Sequence, residues 1–402
     1  MFDLDKFIGS YVTKRSQNMF LEDIEKNSKK LSEKINGKTV LVIGGAGSIG
    51  SSFIKAVLPF KPNSLVVVDI NENALAELTR DLRSTKGMYI PEDYIPYPMD
   101  FASPVFEKMF KNRKGFDIVA NFSAHKHVRS EKDIYSVEAL LQNNVLHAKK
   151  LLDLLVEFPP EEYFCVSTDK AANPVNIMGA SKRLMEDVIF SYSDKFPVKT
   201  ARFANVAFSN GSLPAGFLAR IQKLQPLSAP SDVRRYFVSP EESGQICMLS
   251  CMLGNNREIF FPRLEEEQMM TFDKIATALL KEYGYEVIEC ASDEEAVDKA
   301  VDLKSGSKDY PVHYSGSDTS GEKAYEEFYT DKEKVDLSRM KALGVITDKS
   351  IPDKNKIKVL FDKLNKVFEK EETTKAEIVS IIHDYLPEFE HIETGKSLDS
   401  KM

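Results

Sequence analysis

A chain of 402 residues with 42% hydrophobic and 29% charged residues can build a large core and a second lobe, and without a Pro/Gly-rich tract it is not a disordered or fibrous polypeptide. The net charge of −8 argues against nucleic acid as the main partner, and a phosphate ester would have to be held locally by a few Arg, Lys and backbone N–H groups. Four cysteines without disulfide or zinc-ribbon spacing suit a reducing cytoplasm, the N-terminus shows no basic leader, and no window approaches the ~18 apolar residues of a membrane span.

Residues 1 to about 36 read as a helical arm with Phe20, Ile24 and Leu31 as apolar positions, closed by the turn "INGK". "KTVLVIGG" is a buried strand running into glycines, and "SLVVVDI" is a second strand of the same continuous apolar kind. A third strand is expected before "YPMDF", and "FDIVANFSA" and "EEYFCVSTD" supply two more. Between them Val137, Leu141, Val145, Ala148 and Leu152 mark a helix stopped by Pro159 and Pro160. This alternation over residues 37–205 predicts an α/β fold with a doubly wound parallel Rossmann sheet covered by helices on both faces. Residues 206–350 are expected to form a smaller α/β lobe that binds the substrate and returns a strand to the main sheet. Within it Cys247 and Cys251 are four apart on a helical pattern, which reads as core packing rather than metal ligation. Residues 351–402 read as a charged helical tail with Val359, Leu360, Leu364 and Val367 as its buried stripe.

"GGAGSIG" places Gly44, Gly47 and Gly50 directly after the first strand and before a helix, the context in which glycines admit a pyrophosphate to the backbone and a helix N-terminus faces its charge. Ser48 and Ile49 of this turn are expected cofactor contacts. Asp69 ends the second strand, 19 residues past Gly50, where a carboxylate accepts hydrogen bonds from ribose hydroxyls and repels a 2′-phosphate. NAD is therefore favoured over NADP. Asp100 and Phe101 after the third strand, and Ser123 and Ala124 after the fourth, complete the expected cofactor contacts. His125 and His127 have no other ligand types at metal spacing, and no metal is expected.

The motifs "GGAGSIGS", "SAHKHV", "NNVLHAKKLL", "STDKAANPVNIMGASKRLMED", "RFANV", "RRYF" and "GEKAYEEF" together resemble the extended short-chain dehydrogenase/reductases, and within them the nucleotide-sugar 4,6-dehydratases of bacterial capsule, O-antigen and flagellar glycan pathways. Met178, where most relatives have tyrosine, is similar to the branch typified by UDP-N-acetylglucosamine 4,6-dehydratases. The resemblance implies a nucleotide-sugar substrate and a homo-oligomer built through helices of the cofactor domain. It also implies that Asn205 and Arg235, with Arg234 as a substitute, face the nucleotide diphosphate and that Lys126 lies near the sugar. Arg suits bidentate phosphate contacts. Where many relatives carry "RPGEK" this chain has "SDTSGEK", keeping Gly321, Glu322 and Lys323 without the arginine.

The reaction can also be argued from the residues. Hydride leaves a sugar C4 only if the C4 hydroxyl loses its proton, a task tyrosine performs elsewhere and Met178 cannot. Thr168 is the nearest hydroxyl, able to pass the proton on through water or Asp169. A C4 ketone acidifies the C5 hydrogen, and Lys170 is expected to be the base that removes it. Asp169 is expected to be the acid for loss of the C6 hydroxyl. Lys182, four residues after Met178 on the same helix face, is expected at the nicotinamide ribose. A 4-epimerase would use the same cofactor without acid and base at C5 and C6. A non-catalytic NAD-binding regulator would account for Met178 but not for Asp169, Lys170 and Lys182 in one motif.

Overall fold

The computed structural model describes residues 2–127, 131–316, 325 and 327–393. Strands β1 (Thr39–Ile43), β2 (Ser64–Asp69), β3 (Asp93–Pro98), β4 (Ile118–Asn121), β5 (Glu162–Val166) and β6 (Val198–Ala201) are followed by β7 (Asn205–Val206), β8 (Leu227–Pro230), β9 (Arg234–Arg235) and β10 (Phe237–Val238). Then come β11 (Ile259–Pro262), β12 (Met270–Thr271), β13 (Glu286–Cys290), β14 (Asp309–Ser315), β15 (Lys334–Asp336) and β16 (Leu343–Thr347). The large sheet has the order β15-β16-β11-β6-β5-β4-β1-β2-β3. From β3 to β11 all its pairs are parallel, and β16 and β15 close one edge antiparallel.

Successive residues of each central strand feed opposite cores, as a pleated strand buried on both faces requires. Leu41, Ile43, Val66 and Val68 pack into one apolar cluster, and Val40, Val42, Leu65 and Val67 into the other. Helices Ile134–Leu141, His147–Glu157 and Ile177–Phe190 cover the first face, and helices Ser48–Val57, Glu72–Ser84 and Pro240–Leu253 the second. Cys247 and Cys251 are fully buried in the second cluster. The chain leaves β1 outward through β2 and β3, then crosses back to β4 on the other side of β1. This reversal opens a crevice beyond the carboxyl ends of β1 and β4, the place where open α/β sheets bind ligands.

A three-stranded parallel sheet, β13-β14-β8, with helices Leu213–Gln222, Phe272–Glu282 and Asp293–Lys299 forms the smaller lobe. Two readings of the sequence need correction. The N-terminal arm is not one helix: a turn at Leu4–Val12 packs Phe7, Ile8 and Val12 into the small lobe, and a separate helix, Leu21–Ile35, packs Leu31 and Ile35 on the large sheet. Lys14 between them has φ 54°, which no helix tolerates. In the tail helix Lys354–Phe368, Val359 is 52% exposed, and the buried stripe is Ile357, Leu360, Phe361, Leu364 and Val367. A further helix, Lys375–Tyr385, packs beside it in the same cluster. No helix among the described residues is long and apolar enough to cross a membrane.

Candidate active site

The ends of β1, β2, β4 and β5 converge on the crevice. Gly44 turns the chain out of β1 with φ +70°, and a Cβ there would lie 2.6 Å from Ser123 N beyond β4. A Cβ on Gly50 would lie 2.4 Å from Gly44 O, so only glycine lets helix Ser48–Val57 pack this closely on the turn. At Gly47 the nearest atom is an ordinary 3.4 Å away, and this residue caps the helix without a side-chain hydrogen bond. The first N–H groups of that helix are thus left for an anion. Asp69 closes β2, its Oδ2 accepting Ala46 N–H at 3.0 Å and its Oδ1 accepting Asn71 N–H at 2.9 Å. It holds the glycine turn while facing the crevice end of β2. A dinucleotide fits this cradle.

The other expected cofactor residues lie around the same rim. Ile49 is half-buried against the second apolar cluster, and Ser48 Oγ accepts Asn210 N–H at 2.9 Å from the opposite lobe. Asp100 is exposed and accepts Ala102 N–H at 2.8 Å. The Phe101 ring is turned into the core against His147, so only its backbone borders the rim. Ser123 follows β4 with its N–H donated to Asn121 Oδ1 at 2.9 Å, and Ala124 comes next, half-buried.

Just beyond β5 come Thr168, Asp169 and Lys170, at the start of a short 3-10 turn. Thr168 Oγ donates to Asp169 Oδ1 at 2.8 Å, and Lys170 N–H and Nζ reach the same oxygen at 2.9 and 3.3 Å. Asp169 is 4% exposed, whereas Thr168 and Lys170 are half-buried. Ser167, one residue earlier, donates to Glu186 Oε1 at 2.6 Å, and Glu186 is gripped by the fully buried Arg202 at 2.8 and 2.7 Å. Arg202 also binds Glu333 at 2.8 and 3.1 Å. A buried ion network therefore underlies the Thr168-Asp169-Lys170 turn.

Helix Ile177–Phe190 buries Met178 and Lys182 on one side. Lys182 Nζ donates to Val166 O at 3.1 Å at the end of β5, and burial lowers its pKa. On the opposite rim Lys126 donates to Asn210 O at 3.1 Å; the residue is exposed overall, and desolvation lowers its pKa. Asn205 Nδ2 is buried without a partner among the described residues, as a donor reserved for a ligand would be. Arg235 is 5% exposed, while Arg234 is exposed and pairs with Glu266 at 3.0 Å. Gly321, Glu322 and Lys323 lie outside the described residues.

Residue-level reading of the sequence overlooked several residues. Asn144 sits in a π-turn, Gln142–Leu146, inside the helical stretch after β4. It clamps the backbone of His125 from both sides at 2.9 Å and donates to Ser181 Oγ at 3.0 Å. The paired asparagines in "LLQNNVL" were its signal, polar residues interrupting an apolar periodicity. Glu131, buried, accepts Met178 N–H at 2.9 Å. Arg202 and Glu186 lie within quoted motifs but were not singled out.

An open, mostly parallel sheet with a crevice at its switch point, a glycine turn after β1, an acid at the end of β2 and a Thr-Asp-Lys turn after β5 has the architecture of the short-chain dehydrogenase/reductases. Residues 40–348 match the family described as polysaccharide biosynthesis protein, and the chain belongs to that family. It is 27% identical over 352 residues to an uncharacterized membrane protein of Methanocaldococcus jannaschii, covering 86% of this chain and 96% of that one. The capsular polysaccharide biosynthesis protein CapD of Staphylococcus aureus is 26% identical over 84% of this chain, which spans only 55% of that protein's length. An inverting UDP-N-acetylglucosamine 4,6-dehydratase of Campylobacter jejuni is 24% identical over 73% of this chain and 82% of its own. Among solved structures, the dTDP-glucose 4,6-dehydratase DesIV of Streptomyces venezuelae, with NAD bound, superposes with a TM-score of 0.54 at 19% identity, over 73% of this chain and 89% of that one. A UDP-N-acetylglucosamine 4-epimerase of Methanobrevibacter ruminantium gives 0.53 at 15% identity, over 74% and 91%. The fold is common to both reaction types.

Proposed function

We propose that this protein is an NAD-dependent nucleotide-sugar 4,6-dehydratase, acting on UDP-N-acetylglucosamine or a close relative in the synthesis of a surface polysaccharide or glycan. The observation that carries the reading is the Thr168-Asp169-Lys170 turn at the crevice, with Thr168 Oγ–H donated to Asp169 at 2.8 Å. Bound NAD would accept the hydride from C4 and return it to C6. Helix Ser48–Val57 would hold its pyrophosphate and Asp69 its adenosine ribose, while Lys182 would serve the nicotinamide ribose. Arg234, Arg235 and Asn205 would hold the substrate diphosphate, with Lys126 beside the sugar.

Thr168 takes the C4 hydroxyl proton and relays it to Asp169 along their hydrogen bond. Lys170 removes the proton from C5, made acidic by the neighbouring ketone. Asp169 then delivers its proton to the C6 hydroxyl, which leaves as water. When hydride reaches C6, Lys170 returns a proton to C5, and the product is a 4-keto-6-deoxy sugar. One water is lost and no net oxidation occurs.

A 4-epimerase shares only the oxidation at C4, and the Asp169-Lys170 pair favours the dehydratase because an epimerase has no use for an acid and a base beyond C4. Asp169→Asn tests this. The amide oxygen still accepts Lys170 N–H, so bound NAD, measured in the purified protein, is expected to be unchanged. Turnover is expected to fall about 10²- to 10⁴-fold. Unchanged turnover would remove Asp169 from the mechanism.

A further inference from the structure

We propose that the C-terminal segment 386–393 is a strap belonging to the active-site framework. In this reading His391 and Glu131 are positioning residues for the helix that carries Met178 and Lys182. The inference rests on the site proposed above. Asn176, the cap of that helix, accepts Gly179 N–H on its Oδ1 at 2.7 Å; the preceding N–H, on Met178, goes to Glu131 Oε1 at 2.9 Å. The other oxygen of Glu131 faces His391 Nε2 at 3.4 Å. Ile392 N–H donates to Val175 O at 3.0 Å, so two successive strap residues hold the lead-in to the helix, one through a side chain and one through the backbone. Leu386 and Phe389, 4% and 2% exposed, share an apolar cluster with Ile177 and Met178. Glu393 is tied back to Lys375 of the tail at 2.5 Å.

A carboxylate is favoured at a helix N-terminus because the unsatisfied N–H groups and the helix dipole face it. Its charge is tolerated in a buried setting only when donors meet it, and the His391 ring supplies one from outside the helix. Without that donor Glu131 must turn towards water and release Met178 N–H. The first turn of the helix then loosens, and Lys182, one turn further on, shifts with it. The strap lies beyond residues 40–348, so family membership does not predict it.

The test compares His391→Leu, of similar bulk without a donor, with His391→Gln, which keeps an N–H donor, in the 402-residue chain. Hydrogen exchange of residues 175–180 and steady-state kinetics with UDP-N-acetylglucosamine are read side by side. His391→Leu is expected to speed exchange of the Met178 amide at least tenfold and to lower kcat about tenfold, with KM and Tm unchanged, since Arg234, Arg235 and Asn205, which would hold the substrate diphosphate, lie outside helix Ile177–Phe190. His391→Gln is expected to restore both. Unaltered exchange, a change confined to KM, or a fall in Tm that glutamine does not rescue would each overturn the proposal. The exchange measurement needs no substrate. If exchange responds as expected while the wild-type protein turns over no sugar nucleotide, the strap stands and the dehydratase reading falls.

Discussion

The Asp169 carboxylate takes Thr168 Oγ–H and Lys170 N–H on one oxygen, so the Thr-Asp-Lys turn is knit together by one of its own residues. Beneath it, Arg202 bridges Glu186 and Glu333 with no exposed surface of its own. Burial raises the Glu333 carboxyl pKa, but attraction to Arg202 and Lys349 outweighs it and holds the value at about 2, against 4.5 for a free glutamate. A carboxyl held low in the fold stabilises the protein fully above its unfolded value, and that contribution is lost as the pH falls from about 4.5 towards 2. Arg202→Met removes the cation shared by two buried carboxylates, leaving Glu333 with Lys349 alone and Glu186 with the more distant Arg183, and is expected to cost about 3–5 kcal/mol at neutral pH. Urea melts over this acid range should show a steep loss of stability in the parent and a flatter one in the variant; parallel curves would contradict the network. The Thr-Asp-Lys turn stands out in the sequence because its residues are contiguous. Arg202 was not singled out, because its partner Glu333 lies 131 residues away and only tertiary packing brings them together.

At the scale of elements, the central strands are legible in the sequence because buried parallel strands are continuous apolar runs, such as "TVLVI" in β1 and "SLVVVD" in β2. The helix after β4 was legible as a periodicity but not in detail. Its spacing accommodates the π-turn at Gln142–Leu146, which turns Asn144 towards His125 and Ser181 without disturbing the buried positions Val145 and Ala148. The N-terminal arm misled because its two halves are separately apolar and bind different lobes. The glycine turn carries a firm expectation of its own: in Gly50→Ala the new Cβ would meet backbone at 2.4 Å, where nothing can rotate away. Destabilisation of about 1–3 kcal/mol and loss of co-purifying NAD should follow. Calorimetry and nucleotide analysis of the purified variant check both, and a variant that retains NAD and its melting temperature would refute the packing role.

Across the whole molecule, the tail helices Lys354–Phe368 and Lys375–Tyr385 cover apolar surface on the flank of the large sheet. Phe361 meets Lys149 of helix His147–Glu157 at 5.8 Å, and Tyr385 Oη donates to Asp187 of helix Ile177–Phe190 at 3.4 Å. The buried side chains Leu360, Leu364 and Ile382 join the core beneath them. A chain ending at residue 350 would expose this face, and contiguous apolar patches of that kind drive association. Light scattering is expected to show larger species for the truncated chain than for the full one; equal masses would mean that the tail does not shield this face.

The central claim, that Thr168, Asp169 and Lys170 expel water from a sugar transiently oxidised at C4, is tested most directly by incubating the protein with UDP-N-acetylglucosamine in deuterated water and examining the product by NMR and mass spectrometry. A 4-keto-6-deoxy sugar with deuterium at C5 is the expected result. A 4-epimer free of solvent deuterium would contradict it.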